Sequence, residues 1–220
     1  MPSADYKKHT ALRKAMQLSL WPIVVIVIAL GWQYPGLGYS VPVVMLMGMA
    51  GGMLRGRYVC GHLCPRGAFF DRVMPRLSRK LPIPAWMRSG GFRWPVFAAL
   101  MAFMVYRILQ NPTDFDHWGR VFWLMCTVTT AIGVVLAVFI HPRAWCAFCP
   151  MGTMQSALDR GRHRIMIDAE KCIECGACEK ACPMNLAITK HKVTGSLPDH
   201  DCLRCCQCCS VCPKQALGQA

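Results

Sequence analysis

The run Cys172-Ile-Glu-Cys175-Gly-Ala-Cys178-Glu-Lys-Ala-Cys182-Pro183 is followed, twenty residues on, by Cys202-Leu-Arg-Cys205-Cys-Gln-Cys208-Cys-Ser-Val-Cys212-Pro213. Three thiolates at two-residue spacing wrap one cubane, and the fourth, before proline, reaches the other cluster. Cross-ligation assigns Cys172, Cys175, Cys178 and Cys212 to one [4Fe-4S] cluster, and Cys202, Cys205, Cys208 and Cys182 to a second. Zinc sites want two separated ligand pairs, not three in a run plus a Cys-Pro, so the spacing favours iron and sulfide. Cys206 and Cys209 are surplus. A register through Cys206, Cys209 and Cys212 leaves no fourth thiol before a proline, and the two are read as thiols packed beside the cluster.

These motifs occupy only the last part of a 220-residue chain with a formal charge of +14. Mean hydropathy is nonetheless positive, +0.30. Apolar runs separated by basic loops characterise membrane proteins. Nucleic acid is not expected as a partner, because the basic residues fall between apolar runs rather than on one amphipathic face. The fifteen cysteines have cluster spacing rather than that of a secreted disulfide framework, which points to a reducing compartment.

Segments 18–34, 37–54, 94–110 and 121–140 are apolar enough to cross a bilayer. No small-residue cleavage site follows the first, so it reads as a retained helix rather than a signal peptide. Gly48 and Gly52 give the second a small-residue stripe for close helix contact. Basic residues resist translocation. Lys7, Lys8, Arg13 and Lys14 precede the first span, and nine arginines and lysines from Arg55 to Arg93 separate the second from the third. Both termini and the 55–93 loop are therefore expected in the cytoplasm, with 32–41 and 111–120 outside. Arg107, near the outer end of the third span, reads as a snorkelling side chain.

An internal repeat follows each pair of spans: Cys60-Gly-His-Leu-Cys64-Pro65-Arg-Gly67 and Cys146-Ala-Phe-Cys149-Pro150-Met-Gly152. Each opens an expected amphipathic helix, 68–77 and 153–160. Cysteines at helix N-termini would gain thiolate character from the dipole. Packed together, Cys60, Cys64, Cys146 and Cys149 could form one four-thiolate site, a third metal or iron–sulfur centre. Structural or reactive thiols are the alternative. His62 reads as an exposed polar residue of the interface, and Cys126 as a packing thiol.

With four spans, a Cys-x3-Cys-Pro segment after the second, another Cys-Pro segment after the fourth and two C-terminal cubane motifs, the chain resembles the NapH/MauN-type membrane polyferredoxins. It is also similar to the membrane and ferredoxin half of NosR-type proteins. The tighter Cys146-x2-Cys149 and the extra Cys206 and Cys209 depart from that pattern. The resemblance implies a respiratory accessory role, passing electrons between the quinone pool or a cytoplasmic donor and a partner oxidoreductase.

The expected fold is mainly α: a cytoplasmic segment 1–17, a membrane domain 18–164 of two duplicated hairpins, and an α+β two-cluster bacterial ferredoxin domain 165–220. The four spans contain no histidine, which removes the usual paired ligands of a b-type haem and implies a quinone or a haem-bearing redox subunit. Asp114, Asp116 and His117 could take protons from a quinol, although solvated loop residues are the default. No nucleotide fingerprint, nucleophile elbow or hydrolase motif is present, so no independent catalysis is expected. The expectation is an electron-transfer subunit in the bacterial cytoplasmic membrane. The alternative is an assembly or maturation factor whose clusters reduce a metal or thiol in another enzyme.

Overall fold

A computed structural model describes residues 3–159 and 164–219. Helix α1 runs unbroken over Ser3–Leu30, so the described part of the expected segment 1–17, from Ser3 on, is continuous with the span expected from residue 18. A tight turn at Pro35–Tyr39 leads into α2, Ser40–Arg55. Gly56 closes α2 with φ +55°, and a Cβ there would strike Arg204 and Asp159, so glycine is needed on both counts. Two short helices follow, α3 (Tyr58–His62) and α4 (Pro65–Arg72). The chain then crosses back through α5 (Gly90–Leu109) and α6 (Phe115–Phe139), and repeats the short pair as α7 (Ala144–Phe148) and α8 (Pro150–Leu158).

Asp114 caps α6 by accepting a bond from the Asp116 amide at 2.9 Å, and His117 lies in the first turn, bonded to the Arg107 carbonyl at 2.7 Å. Helix α4 is shorter than the expected 68–77, because Met74–Arg76 turns as a 3-10 helix. Residue 160 of the other expected amphipathic helix lies outside the described residues, and α8 ends at Leu158.

Four helices, within Asp5–Leu30, Pro35–Arg55, Gly90–Leu109 and Phe115–Phe139, are long and apolar enough to cross a membrane. They expose apolar side chains outward, among them Leu18, Leu46, Leu54, Tyr106, Leu109 and Val135. The packing is shared between the two halves. Helix α1 lies along α4 and α5 along α8, while α2 takes α8 as its main partner. The Gly48/Gly52 stripe of α2 is therefore filled by Met151 and Gln155 of α8: a Cβ on Gly48 would meet both at 2.7 Å. A small-residue stripe permits this approach whatever covers it.

The C-terminal unit pairs β1 (Ile165–Ile167) antiparallel with β2 (Leu217–Gln219), with Ile165 opposite Gln219. Helices α9 (Ala177–Ala181) and α10 (Gln207–Val211) lie between them. Ile165, Ile167, Met184, Leu186, Ile188 and Leu217 form its core, continuous with Phe70, Trp145 and Phe148 of the membrane-proximal segments.

Candidate metal centres

The two C-terminal motifs are offset by thirty residues, and their backbones repeat with them. Left-handed residues Glu174, Gly176 and Asn185 recur as Arg204, Cys206 and Gln215. Such turns aim backbone amides inward, as an anionic cluster requires. Cys206 thus stands where the first motif has glycine, at φ +52°. Its thiol donates to Gln219 Oε1 at 3.2 Å. Cys209, the counterpart of Glu179, lies 3.9 Å from the sulfur of Cys208. Aligning the motifs at that offset would have shown Cys206 at a glycine position from sequence alone.

Cys172, Cys175, Cys178 and Cys212 line one small cradle. Cys182, Cys202, Cys205 and Cys208 line another, with Cys206 also in its wall. Each set mixes three thiols of one motif with the Cys-Pro thiol of the other, the donor set that a cubane takes. Among the described residues, no three Cys, His, Asp or Glu side chains group closely enough for a single metal ion. The thiols surround space instead of closing on a point. Burial pushes Cys178 up to about 11 and Cys182 up to about 12, so without a bound cation both favour the neutral thiol.

The four remaining motif cysteines also meet. Cys60, Cys64, Cys146 and Cys149 line one cavity of about 180 Å³, whose walls continue between the four long helices through Val24, Met45, Met101, Met125 and Cys126. Cys60 and Cys146 sit on α3 and α7, while Cys64 and Cys149 stand at the N-caps of α4 and α8. The Gly67 amide points at Cys64 Sγ, 3.4 Å away. The amide draws the thiol down, in the sense expected of a helix N-terminus, but burial outweighs it and holds the Cys64 thiol above its ordinary range. Burial likewise pushes Cys60 up to about 12, against the pull of Arg57.

Sequence reasoning missed the arginines. Arg57 and Arg143 occupy equivalent places, three residues before Cys60 and Cys146, and both are fully buried. Each reaches across to the other repeat. Arg57 donates to the Cys146 carbonyl, and Arg143 donates to the Cys60 carbonyl at 3.1 Å. This crossing explains Cys-Pro-x-Gly: a Cβ on Gly67 would sit 3.0 Å from the Arg143 guanidinium, and one on Gly152 would sit 2.3 Å from that of Arg57. The repeated Arg-x2-Cys spacing was the available signal.

Asp71 holds Arg143 through two bonds of 2.7 Å, and also takes Arg13 at 2.6 Å and Gln17 at 2.7 Å. Asp201 holds Arg57 at 2.8 Å and also pairs with Arg93. Arg66 lies against Cys126, 3.4 Å from its sulfur and its carbonyl. The sequence suggested an exposed His62, but the residue is buried, among packed rings and helix ends. It stacks on Tyr58 at 3.8 Å, bonds the Tyr58 carbonyl at 3.0 Å, and is absent from the wall of the four-cysteine cavity. Cys126 is buried in α6, as a packing thiol would be, and it also faces the cavity.

A family model described as a 4Fe-4S binding domain matches the chain twice, over residues 37–84 and 120–167. The chain carries 4Fe-4S binding domains. Each of these two matches spans a long helix with its Cys-Pro segment, and a second 4Fe-4S binding domain model covers residues 163–184. The chain is 28% identical over 170 residues to an uncharacterized protein of Methanocaldococcus jannaschii, covering 75% of this chain and 65% of the relative. It is 26% identical to another uncharacterized protein of that organism, covering 76% and 73%. It is also 24% identical to the Escherichia coli protein named "Putative electron transport protein YccM", over 69% of this chain and 48% of that one. The chain thus spans about two thirds or less of two of these relatives. No solved structure matches it. These findings suggest iron–sulfur electron transfer in a chain with four membrane-length helices.

Proposed function

We propose that the protein is a membrane-anchored electron-transfer subunit with three iron–sulfur centres: one on Cys60, Cys64, Cys146 and Cys149, and two cubanes on the C-terminal sets given above. The observation that carries this reading is the buried cationic frame around the four cavity thiols. Arg57, Arg143 and Arg66 all line that cavity; Asp201 and Asp71 answer the first two, while Arg66 meets only the carbonyl and sulfur of Cys126, and that positive charge calls for an anion. Four thiolates on a cluster supply one. Bound there, a cluster stores a single electron.

Contacts between the two parts of the chain support an order for these centres. The Leu203 carbonyl packs against Gly61, next to Cys60, so closely that a Cβ there would lie 2.8 Å away. Arg13 bonds Gln207 at 3.2 Å, and Asp201 adjoins Cys202. The Cys182/Cys202/Cys205/Cys208 set is therefore proximal to the membrane site. The Cys172/Cys175/Cys178/Cys212 set is distal and reaches the surface at exposed Cys175. The apolar walls above the thiols suit a quinone, which would enter from the lipid and meet the nearest centre at the cavity floor. The cytoplasmic orientation follows from the basic 55–93 loop. A redox partner would dock at the distal set.

Iron and sulfide analysis with electron paramagnetic resonance on the anaerobically purified full chain tests this. Three clusters are expected, falling to two when Cys60 and Cys146 become Ser. Cys182→Ala should damage the proximal cubane, and Cys206→Gly should leave all three in place. Only two clusters in the parent protein would overturn the third centre and favour the maturation-factor alternative. Stoichiometric zinc without a reducible signal would overturn all three.

A further inference from the structure

The two repeats are not equally equipped. In the first, Cys64 is followed seven residues on by Asp71, whose carboxylate neutralises Arg143 of the second repeat. In the second, the residue seven after Cys149 is Ser156. No carboxylate stands there to neutralise Arg57. Instead Ser156 Oγ donates to Asp201 Oδ1 at 3.0 Å, and that same oxygen accepts from Arg57 at 2.8 Å. Arg57 is 0% exposed and Asp201 5%. An arginine so placed without its partner would be an uncompensated buried charge beside Cys60 and Cys146.

We infer that Asp201 is a positioning residue for the four-cysteine site, supplying from the C-terminal unit the carboxylate that the second repeat lacks. The site is complete only when that unit is seated. Asp201 fixes Arg57, the residue that caps α3, and Arg57 in turn fixes the Cys146 carbonyl of α7 under Gly152. The carboxylate also immediately precedes Cys202, so one residue both closes the membrane site and registers the proximal cubane motif beside it. Arg93, at the start of α5, takes the second oxygen and ties the third span into the same clamp.

The inference rests on the proposed centre only for what the four thiols hold, and the test separates the two. Alkylation rates of Cys60 and Cys146 are measured by mass spectrometry on the full chain as isolated, with iron counted on the same samples. Asp201→Asn is expected to raise both rates at least several-fold. Ser156→Asp in that background places a carboxylate at the position equivalent to Asp71, and it should restore most of the protection. A purely structural role of Asp201 in its own turn would not be rescued from Ser156. Unchanged alkylation in Asp201→Asn, or exposure that Ser156→Asp does not reverse, overturns the inference. The parent iron count reports independently on the third centre.

Discussion

At the scale of single residues, Asp71 carries the heaviest electrostatic load: two guanidiniums and a buried amide converge on one carboxylate. Asp71→Asn leaves Arg13 and Arg143 facing a neutral group, and the loss should be about 3–5 kcal/mol in denaturant unfolding. Burial pushes this carboxyl up, but Arg143 and Arg13 overcome it and hold it at about 2, against 3.8 ordinarily. That contribution is complete above 3.8 and is lost as pH falls toward 2. Burial, with Arg88 and Arg143 nearby, lowers His141 from 6.5 to about 4. Its contribution is present above 6.5 and fades as pH drops to 4. Acid titration of stability should therefore show two successive losses, and Asp71→Asn should abolish only the lower one. None of this was legible in the sequence, where Arg13 reads as a topology signal and Asp71 belongs to no motif. Pairing partners come from three distant segments, which no local pattern records.

Elements were easier. Apolar run length located all four long helices, and Cys-Pro marked the neighbourhoods of α4 and α8, which start at the prolines, three residues before the expected 68 and 153, because these signals are local: desolvation for the spans, and proline's fixed φ at the first helical position. The stripe Gly48/Gly52 was legible as a contact face, but its partner was not, since α8 comes from the other repeat. The same crossing makes a measurable prediction for the two motif glycines. Gly152→Ala, whose methyl would fall 2.3 Å from Arg57, should destabilise by roughly 1–3 kcal/mol. Gly67→Ala, with its nearest contact at 2.8 Å, should cost less. Thermal unfolding of the two variants checks the order, and equal effects would argue against the crossed arginines.

For the whole molecule, the proposed orientation, with the basic 55–93 loop in the cytoplasm, is open to a direct test. Outside-added amine reagent should miss Lys80, whereas cysteines introduced at Gly36 and Thr113 should react with an impermeant maleimide. Labelling of Lys80 from outside would reverse the arrangement. The unbroken α1 bears on how such a molecule must operate. Its 28 residues make a rod of about 42 Å, against ~30 Å of hydrocarbon. In the proposed membrane arrangement the surplus stands beyond the bilayer; its N-terminal part grips the C-terminal unit, with the Tyr6 hydroxyl accepting from the Gln219 amide at 3.1 Å and Arg13 on Gln207. A unit gripped by a rigid post cannot swing between stations as a tethered shuttle does. On the proposed function all searching would fall to the redox partner, so throughput should follow that partner's abundance and diffusion rather than any reach of this chain.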